Sequence, residues 1–301
     1  MLRREFLSTA TAGLAAAQTG AAQSISAKRL IVHADDAGMC HSVNMATIEA
    51  LTKGMVSSAS VMMPCSWVQE FADWAKANPT KDIGIHLTLT SEWKYYRWRP
   101  VTSIEKVKGL IDKEGYIWRD VRGTAMSATP AEVETELRSQ ILRAKEYGIQ
   151  FTHLDSHMGT LFARPDYFEV YAKLGKEFGV PVMLPKANEA NAGDLKGYPI
   201  TPDMLKRKEA DGFRMLDRLV TGVPGRTVAE RRESYRNFIA QVKPGVTKLI
   251  IHLAKEDPEI KAISNSWEYR WADFVFWTSD EAKELLAQHG VELYTYRQLG
   301  A

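Results

Sequence analysis

From residue 29 the chain alternates short apolar runs with segments whose apolar residues recur at helical spacing, the pattern of buried parallel strands joined by helices. Leu30–Ala34 reads as the first strand. A helix over Val43–Lys53, stopped by Gly54, leads to a second strand within Met55–Met63, and Asp82–Leu89 supplies a third. Thr129 and Pro130 open the clearest helix, the threonine as N-cap and the proline in the first turn, with Gly148 as terminator. A strand over Ile149–Asp155, a helix over Asp166–Glu177 and a strand over Gly179–Leu184 follow. Lys248–Leu253 is a late buried strand, and a last helix is expected from Thr278, in a capping box with Glu281, to Gly290, before a strand over Val291–Tyr294. About seven or eight such units, with no linker-like change of composition, predict one α/β domain over residues 27–301. The expected fold is a single distorted (β/α) barrel, TIM-barrel-like, of about seven or eight parallel strands. Trp93–Arg122 and Ala187–Asp203 read as loop insertions.

Residues 1–26 follow a different grammar: Arg3-Arg4-Glu5-Phe6-Leu7, then a weakly apolar run of alanine, threonine, glycine and leucine, then Ala-Ala-Gln-Ser. This is the pattern of an export signal, and the paired arginines before Phe-Leu resemble the twin-arginine kind, so a periplasmic or secreted protein is expected. Beyond it no stretch approaches the roughly 18 apolar residues of a membrane span. The 301 residues carry 39 basic and 37 acidic side chains, a balance that gives no support to a nucleic-acid or membrane-surface partner. Two cysteines, Cys40 and Cys65, are too few for a disulfide framework and form no CxxC pair; they read as small buried residues, with a single bridge left open.

The histidines are placed where chemistry would need them. His33 and His41 bracket Asp35-Asp36, His86 ends a strand, His153 and His157 flank Asp155, and His252 ends another strand; only His289 falls outside. In a parallel barrel the C-terminal strand ends converge on one mouth, so these groups are expected to meet despite their separation. Two imidazoles and a carboxylate are a familiar ligand set for a catalytic zinc or similar divalent ion with open positions. The second carboxylate of an adjacent pair is then free to act on water. Each motif alone has a plainer reading: an Asp-Asp pair that caps a helix, a strand-end histidine that packs in the core. His-Leu-Asp-Ser-His is the least compatible with mere packing, and it is the three together, in order, that point to a metal site.

Val32-His33-Ala34-Asp35-Asp36-Ala37-Gly38, Gly84-Ile85-His86-Leu87-Thr88-Leu89-Thr90 and Thr152-His153-Leu154-Asp155-Ser156-His157 together resemble the YdjC-like carbohydrate deacetylases, the ChbG/HpnK family, over roughly residues 29 to 299. The resemblance implies a barrel related to the polysaccharide deacetylases. It implies one divalent ion, Zn2+ or Mg2+, on Asp36, His86 and His157, with Asp35 as general base. His252 corresponds to a late histidine, candidate general acid or oxyanion stabiliser, and Arg270 and Asp273 to a region near the mouth. His153 and Asp155 are expected to orient a ligand rather than bind the ion. The implied partner is an N-acetylated saccharide, deacetylated by hydrolysis, on a monomer or homodimer. Two departures point to a different substrate pocket: Met158-Gly159 stands where relatives continue with histidines, and Leu253-Ala254 where proline follows the late histidine. Two other readings remain at this point, a metal-dependent hydrolase of a phosphoester or another amide, and a catalytically silent periplasmic sugar-binding protein. The eight tryptophans suit sugar stacking or simple loop anchoring.

Overall fold

The computed structural model describes residues 27–301. The expected export signal, residues 1–26, lies outside them. No helix among the described residues is long and apolar enough to cross a membrane.

Among the described residues seven strands follow one another: β1 (Lys28–Ala37), β2 (Ser58–Val61), β3 (Ile83–Leu87), β4 (Leu154–Ser156), β5 (Arg218–Val220), β6 (Gly245–His252) and β7 (Val291–Leu293). All their pairings are parallel, in the spatial order β4-β3-β2-β1-β6-β5, with β7 joined to the N-terminal end of β1. β1 is the axis. Its run from Leu30 to Ala37 is wholly buried, and its long ladder with β6 sets Asp35 directly opposite His252. The near-continuous apolar runs of β1 and β6 follow from burial on both faces.

The expected barrel of about seven or eight strands is corrected to a curled half-barrel of six parallel strands, with the short β7 paired to β1 off that path. Between β4 and β5 the chain passes through Gly179–Leu184, expected as a strand, yet it makes only single bridges, Leu154 to Val182 and Pro185 to Leu216. A tight turn at Gly179, in left-handed conformation, and Pro181, which has no N–H to donate, limit the ladder there. The predicted strand over Ile149–Asp155 likewise shortens to three residues. The layer of helices is as patterned, and the best-signalled is the best matched. Thr129 and Glu132 close a capping box at the start of Pro130–Glu146, and Gly148 follows with φ 79°. The last helix is shifted: Ser279, not Thr278, caps Asp280–Gln288, because Thr278 ends the preceding helix with its hydroxyl on the carbonyl of Phe274. That preceding helix, Trp267–Trp277, was legible only as an aromatic segment. Cys40 and Cys65 are buried free thiols.

Candidate active site

The C-terminal ends of β1, β3, β4 and β6 bring the sequence motifs together around a cavity of about 800 Å³. Asp36 reaches it through strain. The β1–β2 register shifts between Ala34 and Ala37, and Asp36 sits in the left-handed region at φ 70°, uncommon for a residue with a side chain. In a regular strand Asp35 and Asp36 would point to opposite faces; with this bulge both line the cavity.

Donor atoms of Asp36, His86 and His157 all lie within 4.8 Å of one another. Asp36 Oδ1 is 3.5 Å from His86 Nε2 and 3.3 Å from His157 Nδ1, and the two ring nitrogens are 3.1 Å apart. The other edge of each group is held. Asp155 Oδ1 is 2.6 Å from His86 Nδ1, which leaves Nε2 facing Asp36. Arg270 donates to Asp36 Oδ2 at 2.6 Å, and Glu92 sits 3.1 Å from His157 Nε2. Asp36 Oδ1 is buried and, among the described residues, has no hydrogen-bond partner. An orphaned carboxylate oxygen facing two imidazole nitrogens is costly unless something cationic completes it, and this donor set fits a divalent ion.

The electrostatics agree. Burial resists the charge on Asp36, but Arg270 and the two histidines hold it well below the usual carboxylate range. Burial likewise opposes a proton on His86 and His157, yet the carboxylates outweigh it: Asp155 and Asp35 hold His86 well above its ordinary value, and Glu92 with Asp36 lifts His157 to about 9. The surrounding carboxylates thus favour a positive charge on or beside both imidazoles.

Asp35 lies beside this group, 3.7 Å from His86 Nε2 and 3.2 Å from His33 Nε2. Burial pushes its pKa up, but His86 and the neighbouring His33 prevail and keep it low, so it is ionised. His252 stands across the ladder. Its Nε2 is 4.0 Å from Asp36 Oδ2, and its backbone N–H donates to Asp273 Oδ2, a carboxylate whose other oxygen receives Arg231 and Tyr235. Desolvation dominates and Arg270 adds to it, against the pull of Asp36, so its pKa falls to about 4 and the ring is neutral.

Not every expected residue converges. His153 bonds Thr152, stacks on Tyr296 and lies against Gly84, whose lack of a Cβ admits the ring; it touches none of Asp36, His86 or His157 by hydrogen bond. Of His153 and Asp155, only Asp155 bonds one of those three, His86. Of the tryptophans, Trp93 lines the cavity, beside Tyr95, Tyr198 and Tyr269, whereas Trp98 and Trp277 are buried in the protein. The functional neighbours that sequence reasoning missed are Glu92 and Lys248. Lys248, fully buried, donates to Asp155 Oδ2 at 3.0 Å. A lysine at the head of the apolar run Leu249-Ile250-Ile251 was the available signal, since such a charge is buried only when paired. Glu92 carried none.

With this geometry in place, the likeness to known proteins becomes specific. The chain is 32% identical to a carbohydrate deacetylase of Thermus thermophilus over 86% of its own length and 89% of that protein's. It is 30% identical to a carbohydrate deacetylase of Brevibacillus brevis over 90% of this chain and all of the relative. A chitooligosaccharide deacetylase of Yersinia enterocolitica matches at 30% identity over 57% of this chain and 65% of its own. A crystal structure from Enterococcus faecalis superposes with a TM-score of 0.78 at 25% identity, covering 91% of this chain and 99% of that one. The model of the YdjC-like protein family matches residues 29–288, the span that holds all three motifs and the half-barrel they converge on, and the chain belongs to that family.

Proposed function

We propose that the protein is a metal-dependent hydrolase that removes the acetyl group from an N-acetylated sugar or oligosaccharide. The observation that carries this is the convergence of Asp36, His86 and His157 on one buried point with an unpartnered Asp36 Oδ1, beside a second, ionised aspartate. The names of the relatives supply the substrate class: carbohydrate and chitooligosaccharide deacetylases.

A divalent ion held by these three residues would polarise the amide carbonyl and acidify a water. Asp35, ionised and 3.2 Å from His33 Nε2, would accept a proton from the attacking water. His252, whose pKa lowered to about 4 leaves the ring neutral near pH 7, suits hydrogen-bond donation to the developing oxyanion better than delivery of a proton, which leaves Asp35 to pass its proton to the departing amine. Arg270 keeps Asp36 ionised and oriented. Binding alone would not need a free carboxylate beside the ligands, which disfavours a silent sugar-binding protein.

The test is acetate release from N-acetylated oligosaccharides by the purified protein, with and without chelator and with zinc or magnesium restored. Activity that survives complete chelation would overturn the proposal. From Arg3-Arg4 and the weakly apolar run after them we also propose that the enzyme works outside the cytoplasm: replacing Arg3 and Arg4 by lysine should leave precursor inside, and unimpaired export of that variant would argue against the twin-arginine route.

A further inference from the structure

Residues 88–102 leave β3 and return as a loop closed at its base by two fully buried side chains of the helix Pro130–Glu146. Gln140 bonds both backbone groups of Thr88, accepting from its N–H at 2.9 Å and donating to its carbonyl at 2.7 Å. One turn earlier, Glu136 accepts from the N–H groups of Val101 and Thr102, each at 2.9 Å. Within the loop Ser91 and Tyr96 are anchored again: the Ser91 N–H donates to the Trp118 carbonyl at 2.7 Å, and the Tyr96 hydroxyl donates to the carbonyl of Met39. The four residues between these anchors, Glu92 to Tyr95, all line the cavity.

These four rise from the floor of the cavity to its mouth. Glu92 meets His157, the Trp93 ring centroid is 5.9 Å from the Arg270 guanidinium, Lys94 is exposed, and Tyr95 is 80% exposed, with Lys94 Nζ 4.7 Å from its ring centroid. A lone exposed ring on a free loop would carry no meaning. This one stands at the cavity on a backbone braced on both sides, so a ligand that packs on it has little ordering left to oppose the contact. Asp36, His86 and His157 are buried, so a saccharide whose acetamide reaches them meets Tyr95 only with a part that stays at the surface. The C–H patches on the faces of a pyranose suit such an aromatic platform, and its hydroxyls stay in water. We propose that Tyr95 is the stacking residue for a sugar unit other than the one deacetylated, and that it sets a preference for oligosaccharides over the monosaccharide. The proposal rests on the deacetylase reading above.

The experiment measures acetate release by the metal-loaded protein and its Tyr95→Ala and Tyr95→Phe variants, on N-acetylglucosamine and on N,N′,N″-triacetylchitotriose. Wild type should show the higher kcat/KM on the trisaccharide. In Tyr95→Ala the trisaccharide-to-monosaccharide ratio of kcat/KM should fall about tenfold, the worth of a good aromatic contact. The loss should fall on KM rather than kcat, since a contact remote from the reacting bond holds substrate and transition state alike. Tyr95→Phe, which keeps the ring, should hold the ratio near that of wild type. A ratio unchanged in Tyr95→Ala, a loss equal on both substrates, or a loss carried by kcat would overturn the proposal while leaving deacetylation standing. Lost metal or a lowered urea midpoint in Tyr95→Ala would show the ring to be structural and overturn it as well. No acetate from either substrate with fully loaded wild type would overturn both readings.

Discussion

Asp155 accepts from His86 through Oδ1 at 2.6 Å and from Lys248 through Oδ2 at 3.0 Å, and in the β3–β4 ladder it stands directly opposite His86. One buried carboxylate therefore both fixes a candidate ligand's ring and neutralises the ammonium of a fully buried lysine. Orientation of a ligand histidine by such a partner is typically worth about 10–100-fold in metal affinity. Asp155→Ala should weaken zinc binding by that order, as read by competition with a chromogenic chelator. Unchanged affinity would deny the orienting role.

The same substitution should cost stability for a separate reason. Lys248 Nζ has Asp155 as its hydrogen-bond partner, and a buried charge left unpaired typically costs about 3–5 kcal/mol. Urea unfolding of the metal-free protein should show this loss for Asp155→Ala, and adding Lys248→Met should recover a large part of it, because no charge is then stranded. A double variant no more stable than the single one would mean the lysine is not what destabilises it.

Losing one of three protein ligands should empty the site and stop turnover together. His86→Ala and His157→Ala are each expected to lose bound metal by elemental analysis and to fall to background acetate release. Wild-type metal content in both would place the ion elsewhere.

Asp35 and Asp36 are adjacent but should fail differently. Asp36→Asn removes a charge that Arg270 holds toward both imidazoles, so the metal should weaken. Asp35→Asn should keep full metal while slowing hydrolysis about 10²–10⁴-fold, the usual range for loss of a general base. Metal loss from Asp35→Asn would mean that the two share the ion.

Burial raises the Cys40 thiol from 9.0 to about 12 and pushes Cys65 well above the same value. Both should stay as unreactive thiols toward iodoacetamide in mildly alkaline buffer and react fully after denaturation. The sign for stability follows: the contribution is intact below pH 9.0, where thiols of the unfolded chain are also protonated, and is lost as pH climbs toward about 12. Rapid alkylation of the native protein would show these sites to be open.

Local grammar was readable from the chain alone. The Thr129–Glu132 box, the proline beside it and Gly148 act within a few residues of one another, so spacing suffices to place that helix. The three motifs were legible because strand ends in a parallel sheet share one side whatever the exact register, which brought Asp35, Asp36, His86, His157 and His252 to one cavity. Other features depended on contacts between distant segments. The left-handed turn at Asp36 arises where β1 and β2 fall out of register. Lys248 under Asp155, Arg270 on Asp36 and Glu92 on His157 each join residues far apart in the chain, and no local pattern encodes such a meeting. The open side of the half-barrel is of the same kind. Gly179–Leu184 has the composition of a strand, but a ladder forms only if a neighbour offers its donors and acceptors in step, and here the chain between β4 and β5 finds single bridges instead.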